Sequence, residues 1–251
     1  MSPWSTIPAL IVLAPLSIGP ARSVKAQETS TISGRVIFTG NPANYTRTKI
    51  NRAKDPQCAL VVKAIGTEKV VLNKKTEPIT LRNVLISVKE GLGDRTFDPP
   101  ATPRILTQVG CQYRPHVLGI MAGQTLKVLN GDNTNHNIHF LPRVNVEHNF
   151  SQPQRDVVKG RELRLVTEEP FKVKCDVHPW MGCYIAVFDH PFFDVTNKDG
   201  VYELRNVPPG KYVIQVWHET FGSFTTTVQL TAGEEKELDF IYGWSVVKPQ
   251  P

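Results

Sequence analysis

Cys175-Asp-Val-His178-Pro-Trp-Met181 sets a thiol, an imidazole and a thioether at Cys-x2-His-x2-Met spacing. Those are soft and borderline donors, and together they suit copper better than zinc or a hard cation. A mononuclear copper electron-transfer site takes two histidines and a cysteine in a trigonal arrangement, with a weak axial methionine. One histidine must therefore come from elsewhere, and Asn130-Gly-Asp-Asn-Thr-Asn-His136-Asn-Ile-His139-Phe140 offers two. The reading depends on whether these stretches meet.

The flanking sequence is strand-like. Thr31–Gly40, Leu81–Val88, Ile105–Val109, His116–Met121, Thr125–Leu129 and Cys183–Phe188 are short apolar or alternating runs separated by Gly, Pro and Asp turns, which argues for an all-β sandwich architecture. Glu162–Val166 and Phe171–Lys174 read as a hairpin through Glu168-Glu-Pro170 that delivers Cys175 at a strand end. No sustained 3.6-residue periodicity appears, so helices are few. Past Phe192 the punctuation changes. Asn197-Lys-Asp-Gly200 is a turn with glycine available for positive φ, and Val201–Val207, Tyr212–His218, Phe224–Leu230 and Glu237–Tyr242 follow as strands.

Residues 6–19 are an apolar run ahead of Val24-Lys25-Ala26. This predicts a signal peptide over 1–26, export to a periplasmic or extracellular space, and no membrane span after cleavage. The n-region lacks Lys or Arg. The chain carries 29 basic against 23 acidic residues, and losing Arg22 and Lys25 with the leader still leaves it positive. Part of the excess falls early, in Arg47, Lys49, Arg52, Lys54, Lys63, Lys69, Lys74 and Lys75, a solvated face able to steer an acidic partner. No basic motif interleaved with aromatics suggests nucleic acid. Asn44-Tyr-Thr46 and Asn149-Phe-Ser151 fit glycosylation acceptors.

Four cysteines are present: Cys58, Cys111, Cys175 and Cys183. With Cys175 a ligand, an exported chain has one disulfide and one free thiol left to assign. Cys58–Cys111 is the favoured pair, with Cys183 a small buried hydrophobe; the other pairings stay open.

Tyr113–Asn130 resembles the strand-Gly-strand-Asn lead-in of cupredoxins. His136-Asn-Ile-His-Phe140 and Cys175-Asp-Val-His-Pro-Trp-Met181 are similar to the corresponding amicyanin segments, and the resemblance spans roughly residues 105–188. It implies His136, Cys175 and His178 as equatorial ligands of one type-1 copper, with Met181 axial. It further implies Asn137 tying the two loops together, His178 as the solvent-facing electron port, and Pro179-Trp180 as its rim. Trp180 as ordinary core is the competing reading. The segment after Phe192, with its Asp-Gly turn and Val207-Pro-Pro-Gly-Lys-Tyr212, resembles the carboxypeptidase regulatory-like, transthyretin-type β-sandwich.

The expected organisation is a leader at 1–26, an N-terminal β extension at 27–80, a cupredoxin Greek-key sandwich at 81–190 that includes the 81–88 strand, and a small transthyretin-like sandwich at 191–247. The expected function is that of an exported blue copper protein passing single electrons between redox protein partners. The alternatives are a copper-binding or delivery protein, or a cell-envelope interaction protein, without redox turnover. No His-Glu-x-x-His helix, Gly-x-Ser-x-Gly elbow or multicopper His-Cys-His cluster points to an enzyme. His139 is expected to pack beside the centre. His116, His190 and His218 are candidates for a second metal or proton site, and His148 has no assigned role.

Overall fold

The computed structural model describes residues 28–53, 55–60, 66–243 and 248–249. The expected leader, with Lys54 and Lys63 of the basic face, lies outside them. Nearly all regular structure is β, as the turn-punctuated runs predict. In chain order the first strands are β1 (Ser30–Phe38), β2 (Leu72–Asn73), β3 (Thr80–Leu81) and β4 (Leu85–Glu90), with a one-turn helix α1 (Pro56–Ala59) between β1 and β2. Then come β5 (Arg104–Gln108), β6 (Tyr113–Arg114), β7 (Val117–Met121), β8 (Thr125–Asn130), β9 (His136–Leu141), β10 (Asn149–Gln152), β11 (Asp156–Arg164), β12 (Glu168–Lys174) and β13 (Gly182–Phe188). The last are β14 (Phe193–Val195), β15 (Val201–Val207), β16 (Gly210–His218), β17 (Gly222–Leu230), β18 (Glu235–Glu237), β19 (Phe240–Tyr242) and β20 (Lys248–Pro249).

These strands build two sandwiches, one nested in the other. The inner sandwich faces β10-β9-β12-β13-β7 against β11-β8-β5-β6 around a core that includes Leu106, Ile120, Val128, Phe140, Phe171 and Ile185. The outer sandwich faces β14-β4-β16-β17 against a sheet centred on β1. In that sheet β1 pairs antiparallel with β15 and β3, and parallel with β18 and β19. Gly34 permits the crossing from β18 to β19, because a Cβ there would sit 2.1 Å from the Leu238 carbonyl oxygen. β4 and β14 are adjacent antiparallel strands, Leu85 opposite Val195 and Ser87 opposite Phe193. All of β5–β13 lies in the chain between them.

This changes three sequence-based expectations. The 81–88 run belongs to the outer sandwich: Leu81 pairs with Leu72 on β2, and β4 pairs with β16 and β14. Its continuous hydrophobicity has a physical cause. Ile86 and Val88 face the outer core, while Leu85 packs with Val117 and Ala186 where the two sandwiches meet. The 27–80 extension is no separate appendage either, since β1 is central to the outer sandwich. Third, β11 and β12 do not form a hairpin. β11 pairs with β8, whereas β12 pairs with β9 and β13 in the facing sheet. The chain crosses between sheets near Leu165, and both Leu163 and Leu165 are buried.

Glu168, at the start of β12, holds the loop that follows β9. Its carboxylate accepts the N–H groups of Arg143, Val144 (3.1 Å) and Asn145 (2.9 Å), and the Asn145 side-chain amide at 2.8 Å. Burial alone would raise its carboxyl; these donors outweigh that and hold it below the ordinary 4.5. Its stabilising contribution is therefore complete above about pH 4.5 and is lost as pH falls through the depressed folded value. Glu168→Ala is expected to cost about 1–3 kcal/mol in denaturant unfolding at neutral pH, because donors near a buried acceptor are left unmatched. The gap between wild type and Glu168→Gln should narrow on acidification. A gap that widened would contradict this assignment.

Candidate metal centre

Three buried donors converge where β9 begins and β12 ends. His136 opens β9, and Cys175 follows the last residue of β12. His178 lies in the loop between β12 and β13. Their ligating atoms lie within 4.8 Å of one another. His136 Nδ1 is 3.0 Å from His178 Nδ1, and Cys175 Sγ is 3.7 Å from His178 Nδ1. The loop closes on itself: Met181 N–H donates to the His178 carbonyl at 2.9 Å, and Cys175 N–H donates to the Met181 carbonyl at 3.2 Å. Met181 is buried and, with Cys175, lines a neighbouring cleft of about 480 Å³.

The loops are fixed from several sides. Asn130, which is fully buried, donates its amide to the carbonyls of Thr134 and Gln152, each at 2.9 Å, holding the turn before His136. Asn137 does what the resemblance implies. Its N–H points at Cys175 Sγ (3.4 Å), its side-chain oxygen accepts Asp176 N–H (3.1 Å), and its amide donates to Asn149 (2.7 Å). The Tyr113 hydroxyl bonds the Asn137 carbonyl and lies 3.0 Å from that of Lys174.

Two residues not singled out in the sequence complete the geometry. His136 Nε2 lies 2.9 Å from Asp132 Oδ2, and His178 Nε2 lies 2.8 Å from Asp55 Oδ2. A carboxylate can only accept, so each Nε2 carries a proton and each ring turns its Nδ1 inward. Burial would raise the Asp55 carboxyl, but Cys58 N–H with the His178 and Thr134 side chains hold it at about 2. Asp132 is likewise held low against burial by His136 and the N–H groups of Cys111 and Gly110. The Cys175 thiol, which burial would raise, is drawn down to about 7, by the His136 side chain first and then by the Asn137 and His178 N–H groups. Asp132 stands four residues before His136 in an Asn-Gly-Asp turn, and Asp55 opens an Asp-Pro helix start at α1. Both signals were present in the chain, but neither reveals its tertiary partner.

His178 is the correction at this site. Instead of presenting an edge to solvent it is 2% exposed. Asp55 caps it, Cys58 Sγ lies 3.8 Å from its Nε2, and the Trp180 ring is centred 5.0 Å away. Trp180 is half-buried against the inner core and donates its indole N–H to the Cys111 carbonyl at 3.1 Å, while Pro179 is exposed. Cys58 and Cys111 form the disulfide, and Cys183 is a buried thiol pushed well above its ordinary value by burial.

The other histidines serve elsewhere. His139 sits between Asp176 and Glu147, 2.8 Å from each. His116 bonds Glu219, His190 Nδ1 accepts Phe192 N–H, and His218 stacks on Phe221. Among the described residues none of His116, His190 and His218 falls in a three-donor cluster. His148 packs edge-on to Phe140.

A family model described as the carboxypeptidase regulatory-like domain matches residues 185–242. Residues 185–242 are a carboxypeptidase regulatory-like domain. Its strands β14–β19 are completed by β1 and β4 from before the inner sandwich. Among solved structures, an oxidised amicyanin variant is similar at 18% identity over 41% of this chain and 97% of that chain, with a TM-score of 0.30. A purple cupredoxin from Nitrosopumilus maritimus is similar at 23% identity over 33% and 97%, with a TM-score of 0.27. A copper-containing nitrite reductase from Thermus scotoductus SA-01 is similar at 21% identity, with a TM-score of 0.30; the match covers 40% of this chain and a quarter (25%) of the reductase. Comparison with curated proteins finds no match. Among the described residues no helix is long and apolar enough to cross a membrane.

Proposed function

We propose that this chain is an exported type-1 copper protein that passes single electrons between redox protein partners. The observation that supports it most is the inward-facing set of His136 Nδ1, His178 Nδ1 and Cys175 Sγ. Two imidazole lone pairs at 3.0 Å repel unless a cation or a proton lies between them. Nitrogen and sulfur donors at these separations can share one ion through bonds of about 2.0–2.3 Å. Soft sulfur and borderline nitrogen favour copper, and Met181 would supply a further, weaker sulfur donor. Copper bound there supplies a one-electron couple. The protein's part is to keep the donors still, through Asn137, Tyr113 and the two aspartates, and to keep water out.

With the His178 edge closed, the exit for electrons is the cleft lined by Met181, Trp180 and Tyr184. Lys69, Lys172 and Lys174 share its wall with Glu68, Asp176 and Glu219, so a partner whose contact surface mixes both charges fits best. Adding Cu(II) to the metal-free protein is expected to produce an intense visible thiolate-to-copper band that bleaches on reduction, and a reversible one-electron wave at an electrode. Stoichiometric copper uptake without colour would reject the type-1 reading. Colour without a reversible wave would favour a copper store or delivery protein.

A further inference from the structure

The Cys58–Cys111 disulfide lies beside the donor cluster, and its two halves have the same connection to it. Cys58 N–H donates to Asp55 Oδ1 at 2.9 Å, and the other oxygen of Asp55 holds His178 Nε2 at 2.8 Å. Cys111 N–H donates to Asp132 Oδ2 at 2.8 Å, and that same oxygen holds His136 Nε2 at 2.9 Å. Each half-cystine thus fixes one aspartate, and each aspartate fixes one imidazole. The two halves come from separate parts of the chain, 53 positions apart. Cys58 sits on α1, in the segment between β1 and β2 of the outer sandwich, whereas Cys111 lies between β5 and β6 of the inner one. Thr134, from the loop that carries His136, donates to Asp55 Oδ2 at 3.0 Å and joins the two arms. Trp180 anchors to the Cys111 carbonyl from the side of the metal loop.

We infer that Asp55 and Asp132 are positioning residues for the two ligand imidazoles, that the Cys58–Cys111 disulfide locks both aspartates in place, and that α1 is the plug that closes the His178 edge. The inference rests on the copper reading for its purpose but not for its geometry. Carboxylates that orient ligand histidines typically change metal affinity by about 10- to 100-fold when removed. A clamp spanning both sandwiches also explains why His178 is buried although its loop lies at one end of the inner sandwich.

The test has a metal-free arm and a copper arm. In the metal-free protein, acylation of histidines by diethyl pyrocarbonate is followed peptide by peptide. His178 is expected to be protected in the wild type and to react in Asp55→Ala and in the Cys58→Ser/Cys111→Ser double variant. In the copper arm, Asp55→Ala and Asp132→Ala are expected to weaken Cu(II) binding about 10- to 100-fold and to shift the visible band and the electron paramagnetic resonance hyperfine splitting. Asp55→Asn keeps one accepting oxygen, enough for Cys58 N–H or His178 Nε2–H but not for both, so it is expected to restore only part of the affinity and the protection. The two aspartate variants keep the disulfide and serve if the double variant does not fold. Asp55→Ala with His178 still protected, or with unchanged affinity and spectrum, would overturn the clamp. A wild type that never colours would count against the copper reading alone, and the acylation pattern would still decide the clamp.

Discussion

Truncation after Phe188 is expected to give an aggregating fragment in which β1 and β4 are unprotected and the inner strands stay ordered. Such a fragment keeps all of β5–β13 but loses β14–β20. β1 would lose its pairing with β15, β18 and β19, and β4 its pairing with both β14 and β16. Ile32, Val36, Ile86 and Val88, all now buried, would face water. Each such side chain contributes about 1.5–3 kcal/mol by its burial. Together they approach the roughly 5–15 kcal/mol that holds a typical domain folded. Hydrogen exchange should show rapid labelling of 30–38 and 85–90 beside slow exchange in 117–121 and 182–188, with aggregation read by light scattering. A soluble, monodisperse fragment protected at β1 would refute the nested architecture.

The second large effect is expected at Cys175. Cys175→Ser should remove the visible band entirely, because the charge transfer needs a thiolate bound to the metal. Cys183→Ser should keep it, although only Gly182 intervenes between the copper loop and Cys183. Cys183 points into the inner core, where a serine hydroxyl would lack a partner and cost about 1–3 kcal/mol of stability. The expected pattern is thus a stable colourless variant and a less stable coloured one, read by absorption and by thermal unfolding. Loss of the band in a folded Cys183→Ser protein would mean that the wrong sulfur has been assigned.

Much of this centre was legible because its chemistry is local. Cys175, His178 and Met181 are a loop motif, and His136 and Asn137 sit at a strand start marked by Asn-Gly-Asp. Strand content was legible too, since turns and alternating burial leave their mark on the chain. Strand partnership was not. A hairpin and a crossing between facing sheets both read as strand, turn, strand, so Leu163-Arg-Leu165 gave no sign that β11 and β12 separate. Pro208-Pro-Gly210 behaves alike: β15 joins the sheet of β1, and β16 joins that of β4. The burial of His178 was hidden for another reason. The group that covers it, Asp55, is 123 positions distant, and no local pattern records such a meeting.

Nesting also sets the order in which the molecule can be completed. Arg35 of β1 finds its partner Val201 only after the whole inner sandwich has been made. At roughly 5–20 residues per second, that wait is on the order of ten seconds during synthesis. For that interval an alternating apolar strand has only β3 for a neighbour, at Ile37, while β5–β13 already contain every partner their sheets need. The inner sandwich is thus free to mature first, and the nascent chain's exposure to misassembly is concentrated in β1 and β4. Substitutions that make β1 less adhesive on its solvent-facing positions, Ser33 and Arg35 among them, would act on the yield of folded protein before they act on its stability.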